Sequence, residues 1–365
     1  MSVCDFAPAY IKSIAPYQPG KPISELAREM GLEESGIVKL ASNENPLGVS
    51  PKAQEAIRAV LSDLGRYPDG NGFELKQALV RRYGVAMECI VLGNGSNDVL
   101  DLAARAFLTP QDEAVYSQHA FAVYPLAVQA MGARGVEVPA KGYGHDLGAM
   151  ARAVTPRTRI VFVANPNNPT GTMAAAQALE AFIAALPEHV LVVLDEAYNE
   201  YLPPEARTDT LAWLARYPNL AITRTFSKVY GLAGLRVGYS FASPAVADLM
   251  NRVREPFNVN SVALAAAAAA LDDAEFVSRS YELNLAGMKQ LTQGLSELGL
   301  EYIPSYGNFV SFEVADAAGV FQKLLRSGVI VRPIAGYGMP RHLRVSIGLS
   351  SENARFLETL RKAIQ

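Results

Sequence analysis

The stretch TRTFSKVYGLAGLRVGY, Thr223 to Tyr239, decides how the rest of the chain is read. It places Lys228 directly after Ser227, in a turn between the apolar run Leu220 to Ile222 and a glycine-rich segment. Gly231, Gly234 and Gly238 let the backbone come close to a bulky group, and Arg236 lies eight residues beyond the lysine. A lysine held in a tight, partly apolar turn loses hydration, so its ammonium form is disfavoured and its amine becomes a nucleophile. A Schiff-base lysine needs that property. The plain alternative is a solvated lysine in a surface loop, and the remainder of the chain discriminates between the two.

At 365 residues the chain exceeds the usual limit of a single core, so two domains are expected. Half the residues are hydrophobic, 19% are charged, and the formal net charge is −3 with no long run of one sign. That balance argues against nucleic acid or an anionic membrane surface as a partner. Cys4 and Cys89 lie far apart, and the four histidines form no paired motif, so no metal site is expected. The N-terminal residues have no apolar core of a signal peptide. The run Ala263 to Ala270 is too short to span a bilayer and reads as a tightly packed helix. These features together describe a cytoplasmic enzyme.

Taken in order, the chain opens with an arm in which Pro16, Pro19 and Pro22 favour extended backbone, and Ser24 is positioned to cap a helix reaching Met30. Such an arm is either disordered or docked on a partner subunit. A short strand at Ile37 to Leu40 leads into the turn cluster ASNENPLG. Helices are expected from Pro51 to about Leu64 and from about Phe73 to Tyr83, with the turn RYPDGNG between them. From Cys89 onward short apolar runs alternate with amphipathic segments. Continuous runs such as VLVVL suit strands buried on both faces, and their alternation with helices indicates an α/β fold with a mostly parallel sheet. Beyond Val253 the elements shorten. The expected division is a large domain over residues 45–252 and a smaller α+β domain formed by 1–44 together with 253–365.

In α/β sheets ligands collect beyond the carboxyl ends of the strands, and several polar motifs fall there. GNGSND follows one strand: Gly95, Ser96 and Asn97 expose backbone N–H groups at a helix N-terminus, which suits a phosphate but also suits ordinary capping. NPNNPTG follows another, a rigid turn able to present Asn168. LDEAY follows a third. Asp195 ends an apolar strand, where an isolated carboxylate is costly without a cationic partner, and Tyr198 stands three residues further. A carboxylate for a ring nitrogen, an amide and a phenol for a ring oxygen, a lysine for an aldehyde, and serines with an arginine for a phosphate together describe pyridoxal 5'-phosphate (PLP). No GxGxxG follows a strand, so a dinucleotide lacks its fingerprint.

PYQPGKP, KLASNENPLG, RYPDG, GNGSND, NPNNPTG, LDEAY, TFSKVYGLAGLRVGY and LRVSIG occur in that order along the chain. In this it resembles, over essentially its whole length, the histidinol-phosphate aminotransferase branch of the fold-type I, class I/II PLP enzymes. The resemblance implies that Lys228 carries the cofactor and shuttles protons, Asp195 pairs with its pyridine nitrogen, and Tyr198 and Asn168 contact its ring hydroxyl. It implies that Gly95, Ser96, Asn97, Ser227 and Arg236 hold the cofactor phosphate and that Phe121, in QHAFAVY, stacks on the ring, although helix-face packing also explains that phenylalanine. Tyr67 resembles a tyrosine that reaches the phosphate in the neighbouring subunit, which implies a homodimer with shared sites. Arg344 matches an arginine for the acceptor carboxylate. Arg332, with Tyr17 and Asn308, matches a site for the substrate phosphate, while a surface ion pair is the alternative for either arginine. The implied reaction is transamination of L-histidinol phosphate with 2-oxoglutarate. An aromatic amino-acid aminotransferase and a threonine-phosphate decarboxylase are the rival chemistries.

Overall fold

The apolar runs assemble into a seven-stranded sheet. The computed structural model describes residues 2–17 and 19–365; Gln18, inside PYQPGKP, lies outside them. In chain order the strands are β1 (Val38–Lys39), β2 (Ile90–Gly93), β3 (Glu113–Ser117), β4 (Arg134–Val138), β5 (Thr158–Ala164), β6 (Leu191–Asp195) and β7 (Leu220–Thr225). They continue with β8 (Gly238–Ala242), β9 (Tyr302–Ile303), β10 (Phe309–Glu313), β11 (Val329–Ile330), β12 (Arg332–Pro333) and β13 (His342–Ser346). The large sheet runs β2-β8-β7-β6-β5-β3-β4, and only β8 is antiparallel to its neighbours.

Its strands are buried on both faces because residues alternate between two cores. Ile160, Phe162 and Val193 join the helices Ser96–Phe107 and Val123–Ala130 on one side. Val161, Val163, Val192 and Leu194 face the helix Ala176–Ala185 on the other. With β2, β3, β5, β6 and β7 pointing the same way, the segments after Gly93, Ser117, Ala164, Asp195 and Thr225 emerge at one edge. Arg236 reaches the same edge just before the reversed strand β8.

The second body is an antiparallel sheet, β12-β13-β10-β9, covered by the helices Ala274–Glu297, Ala317–Arg326 and Ser350–Ala363. The N-terminal segment docks onto it: β1 pairs in parallel with β11, and Leu26 and Ala27 pack with Leu325 and Ile330.

Several boundaries differ from expectation. Ser24 is not a cap: the helix Ile23–Met30 starts two residues earlier than such a cap would place it, behind Pro22, whose extended backbone sets the entry of the chain. The arm is extended only after a short helix, Ala9–Lys12. The helix from Pro51 stops at Val60 and tightens into a 3-10 turn, Leu61–Asp63. The helix after GNGSND, expected over Val99 to Phe107, starts at Ser96, with Gly95 at φ 89° as its cap. A short helix, Leu147–Arg152, was not anticipated; Asp146 caps it by accepting from Ala149 N. The alanine-rich helix Ser261–Leu271 packs onto Pro51–Val60 and Phe73–Tyr83, beside the large sheet, although it follows residue 252. Small residues at Ala263, Ala266, Ala267 and Ala270 allow that close approach.

Candidate active site

Beyond the carboxyl edge of the large sheet lies a cleft of about 190 Å³, closed on its far side by the N-terminal segment and by β12 and β13. Lys228, Asp195, Tyr198 and Asn168 line it together with Ser96, Asn97, Phe121, Ser227 and Arg236; Tyr17, Arg332 and Arg344 form its opposite wall. A larger cavity of about 910 Å³ adjoins it and shares Tyr17, Gly20, Arg332 and Tyr337.

Lys228 follows β7 between the buried side chains Phe226 and Val229. Its Nζ donates to Ser42 O at 3.3 Å and stands 5.7 Å from the centre of the Tyr198 ring. Burial, reinforced by the Arg344 guanidinium, lowers its pKa to about 8. Asp195 ends β6 and is 4% exposed. Its Oδ2 accepts from Tyr124 Oη at 2.9 Å and its Oδ1 from Ala197 N at 3.2 Å, and no salt bridge reaches it among the described residues. Burial raises its pKa to about 6, with the Tyr124 hydrogen bond opposing. A carboxylate buried this way is stabilised by any cation placed against it.

The anion cradle is built from backbone. A Cβ on Gly95 would collide with the Arg236 guanidinium, and one on Gly238 with Ser96 N, so both positions require glycine for close approach. Arg236, itself at φ 56°, donates from Nη1 to Ala233 O at 3.1 Å and to Ser227 Oγ at 3.4 Å. Ser96 and Asn97 open the helix Ser96–Phe107, where free N–H groups and the helix dipole favour negative charge.

Asn168 sits in a turn with cis peptides at Asn165–Pro166 and Asn168–Pro169. Its Oδ1 accepts from Arg344 Nη1, while Arg344 Nη2 donates to Ala41 O at 2.8 Å and Nε is buried without a partner. Burial lowers the Arg344 pKa from its ordinary value. Arg332 stacks its guanidinium over the Tyr17 ring at 5.4 Å. Phe121 precedes the helix Val123–Ala130 and meets Tyr124 edge-on at 5.9 Å.

One residue expected here, Asn308, is not among those lining the cleft, and Tyr67 lies outside this chain's own cleft, as its expected role in a neighbouring site requires. Gly95 lies in close contact with the Arg236 guanidinium, which lines the cleft. Asn308 is buried, and its Nδ2 donates to Asn43 O at 3.0 Å. Tyr67 is 82% exposed and stacks on Phe257 at 4.7 Å, away from this chain's own cleft. The sequence reading missed Tyr124 and Asn43. Tyr124 was visible as a hydroxyl three residues after Phe121 on an apolar helix. Asn43 had no signal beyond its turn-rich surroundings.

A family model, "Aminotransferase class I and II", matches residues 35–360. The chain is 65% identical over 361 residues to the histidinol-phosphate aminotransferase of Methylobacillus flagellatus, covering 99% of this chain and 98% of that one. Its structure resembles that of histidinol-phosphate aminotransferase from Sinorhizobium meliloti in complex with pyridoxal-5'-phosphate, with a TM-score of 0.91, 30% identity, and coverage of 100% and 98%. It also resembles a double mutant of the Thermus thermophilus aspartate aminotransferase, at a TM-score of 0.83, 25% identity, and coverage of 97% and 98%. The fold is therefore that of the fold-type I PLP transferases. With the family pattern spanning nearly all of its length, the chain belongs to the class I and II aminotransferases.

Proposed function

We propose that this protein is a PLP-dependent aminotransferase that converts L-histidinol phosphate and 2-oxoglutarate into imidazole acetol phosphate and L-glutamate, a step of histidine biosynthesis. One observation carries the reading: a lysine of lowered basicity, a buried carboxylate lacking a cation, and two arginines share one cleft.

The residues present fit the cofactor. Asp195 suits a protonated pyridine nitrogen, Lys228 an aldehyde, Tyr198 and Asn168 a ring oxygen, and Phe121 a ring face. Arg236, Ser227, Ser96 and Asn97, around the space kept open by Gly95, suit a phosphate. When bound, PLP supplies an electrophilic carbonyl carbon and an electron-withdrawing ring. Lys228 Nζ, with its pKa near 8, is neutral in about a tenth of molecules at pH 7. It would take the substrate α-proton and pass it on in the 1,3-shift that transamination requires. Asp195, oriented through Oδ2 by Tyr124, would keep a pyridine nitrogen bound near it positively charged. Arg344, held by Ala41 O and Asn168, orients a carboxylate through its paired donors. Arg332, at the mouth shared with the larger cavity, suits the substrate phosphate beside Tyr17.

Tyr67 points away from its own cleft, which supports a homodimer in which it serves the neighbouring site. We further infer two working bodies: the large sheet with its helices, and the smaller sheet with residues 1–44. Two unpaired cysteines support a cytoplasmic setting. Among the described residues no helix is long and apolar enough to cross a membrane.

The test is steady-state transamination by the holoenzyme against histidinol phosphate, phenylalanine and threonine phosphate, with and without 2-oxoglutarate. Highest kcat/KM for histidinol phosphate, with glutamate formed in equal amount, supports the reading. Preference for phenylalanine, or release of CO₂ without an acceptor, overturns it.

A further inference from the structure

Asn43 is 1% exposed and holds φ 54°, a left-handed backbone that asparagine tolerates better than most residues. Every polar group it carries is engaged. Its N–H donates to Ser346 Oγ at 2.8 Å, and its carbonyl accepts from Asn308 Nδ2 at 3.0 Å. Its Oδ1 accepts from Ser346 Oγ at 2.9 Å, and its Nδ2 donates to the Tyr198 phenolic oxygen at 2.9 Å. One residue, through its side chain and its backbone together, thus ties the end of β13 and the residue before β10 to a phenol that follows β6.

Ser346 decides which way the amide faces. Its hydroxyl already accepts the Asn43 N–H, so its own proton needs an acceptor, and Asn43 Oδ1 supplies one only in this orientation. Nδ2 is then turned to Tyr198 and offers no lone pair. The Tyr198 proton cannot be spent on residue 43 and is left for a group in the cleft. Arg344, Asp195 and Tyr337 face the same phenol electrostatically, and Lys228 Nζ lies over its ring.

We propose that Asn43 is a positioning residue that commits the Tyr198 hydroxyl to donating into the cleft, with its own amide locked by Ser346 of the small sheet and its backbone carbonyl held by Asn308. The inference rests on the function proposed above, in which the acceptor is the ring oxygen of the cofactor. It adds Asn43, a residue of the cleft wall, as one that acts through Tyr198. It also makes the small sheet responsible for the direction of a hydrogen bond on the large one. A donated hydrogen bond stabilises negative charge on the ring oxygen and so favours loss of the neighbouring proton of the chromophore. Accepting from Asn43 strengthens that donation.

The test is a pH titration of the visible absorbance of purified holoenzyme, which reports the chromophore proton without turnover. Asn43→Asp presents an acceptor in place of the donor and draws the Tyr198 proton toward residue 43. It is expected to raise the midpoint by about one pH unit, the order of one hydrogen bond to a charged oxygen. Tyr198→Phe should raise it by a similar amount. The double variant should shift no further than Tyr198→Phe alone, because residue 43 acts through the phenol. Asn43→Gly keeps the positive φ and serves the same cycle with a smaller shift if the aspartate variant does not fold. An additive double variant, or unmoved midpoints in both Asn43 variants while Tyr198→Phe shifts, overturns the role of Asn43. An unmoved midpoint in Tyr198→Phe overturns the placing of the ring oxygen itself, and the inference falls with it. A purely structural role would lower stability and leave the midpoint in place.

Discussion

At the scale of single residues the cleft depends on two groups whose ordinary protonation is disfavoured by burial. With Lys228 near pKa 8, the neutral amine fraction rises with pH up to that value and then levels. The rate at which apoenzyme develops visible absorbance on adding PLP should rise about tenfold per pH unit below 8 and flatten above it. Lys228→Ala should develop none, and stopped-flow absorbance measures both. Asp195 behaves in the opposite sense. Its folded pKa of about 6 exceeds the ordinary 3.8, so the native apoenzyme binds the extra proton between those values and its stability falls as pH rises through about 6. Above that pH the penalty amounts to about 3 kcal/mol. Asp195→Asn should therefore stabilise the apoenzyme at pH 7 in urea unfolding while weakening PLP retention. Loss of stability would contradict the unpaired carboxylate. Arg332→Ala should lower kcat/KM for histidinol phosphate by about tenfold to a hundredfold, the worth of a charge-assisted contact, and that for phenylalanine far less. Equal losses would remove Arg332 from substrate selection.

At the scale of elements, the segment after β6 is clamped to β7. Arg224 Nε and Nη2 bond Glu196 Oε2 at 2.9 and 2.8 Å, both side chains buried, and Thr210 Oγ1 donates to Glu196 Oε1 at 2.7 Å. Glu196 is the neighbour of Asp195, so this clamp bears on the floor of the cleft. Glu196→Ala would leave the Arg224 charge buried and uncompensated, at a cost of about 3 to 5 kcal/mol. Urea unfolding would show it as a lower midpoint with an unchanged slope. Most elements of the large sheet were legible in the sequence, because a strand such as VLVVL buried on both faces cannot be mistaken for an amphipathic helix. Helix ends were less legible. Ser24 has the chemistry of a cap, yet the extended backbone of Pro22 set the start of its helix, and another helix starts at Ser96, with Gly95 as its cap.

At the scale of the whole molecule, Tyr67 is the test of assembly. Its ring lies exposed over Phe257, outside its own cleft. If it completes the neighbouring site, a hybrid dimer of Lys228→Ala and Tyr67→Ala protomers contains one site with both wild-type residues. Mixing the two should restore PLP retention and turnover toward half of the hybrid's sites. A mixture no more active than the sum of its components would dismiss a shared site. The helix Ser261–Leu271 teaches the same lesson in packing. Its sequence follows residue 252, but its alanine face lies against helices of the large body.

The order of motifs along the chain determined the fold class, the family and most cleft residues by themselves, because a strand end followed by a lysine, carboxylate or glycine turn is a local pattern. What only the tertiary structure decided was how distant segments meet. It showed the Asn43 amide joined to Ser346 and Tyr198, Tyr124 against Asp195, and Asn308 bonded to the Asn43 backbone and absent from the cleft lining. Hydrogen bonds between residues 155 and 303 positions apart leave no periodicity in the sequence. Their geometry is set by the packing of two sheets against each other.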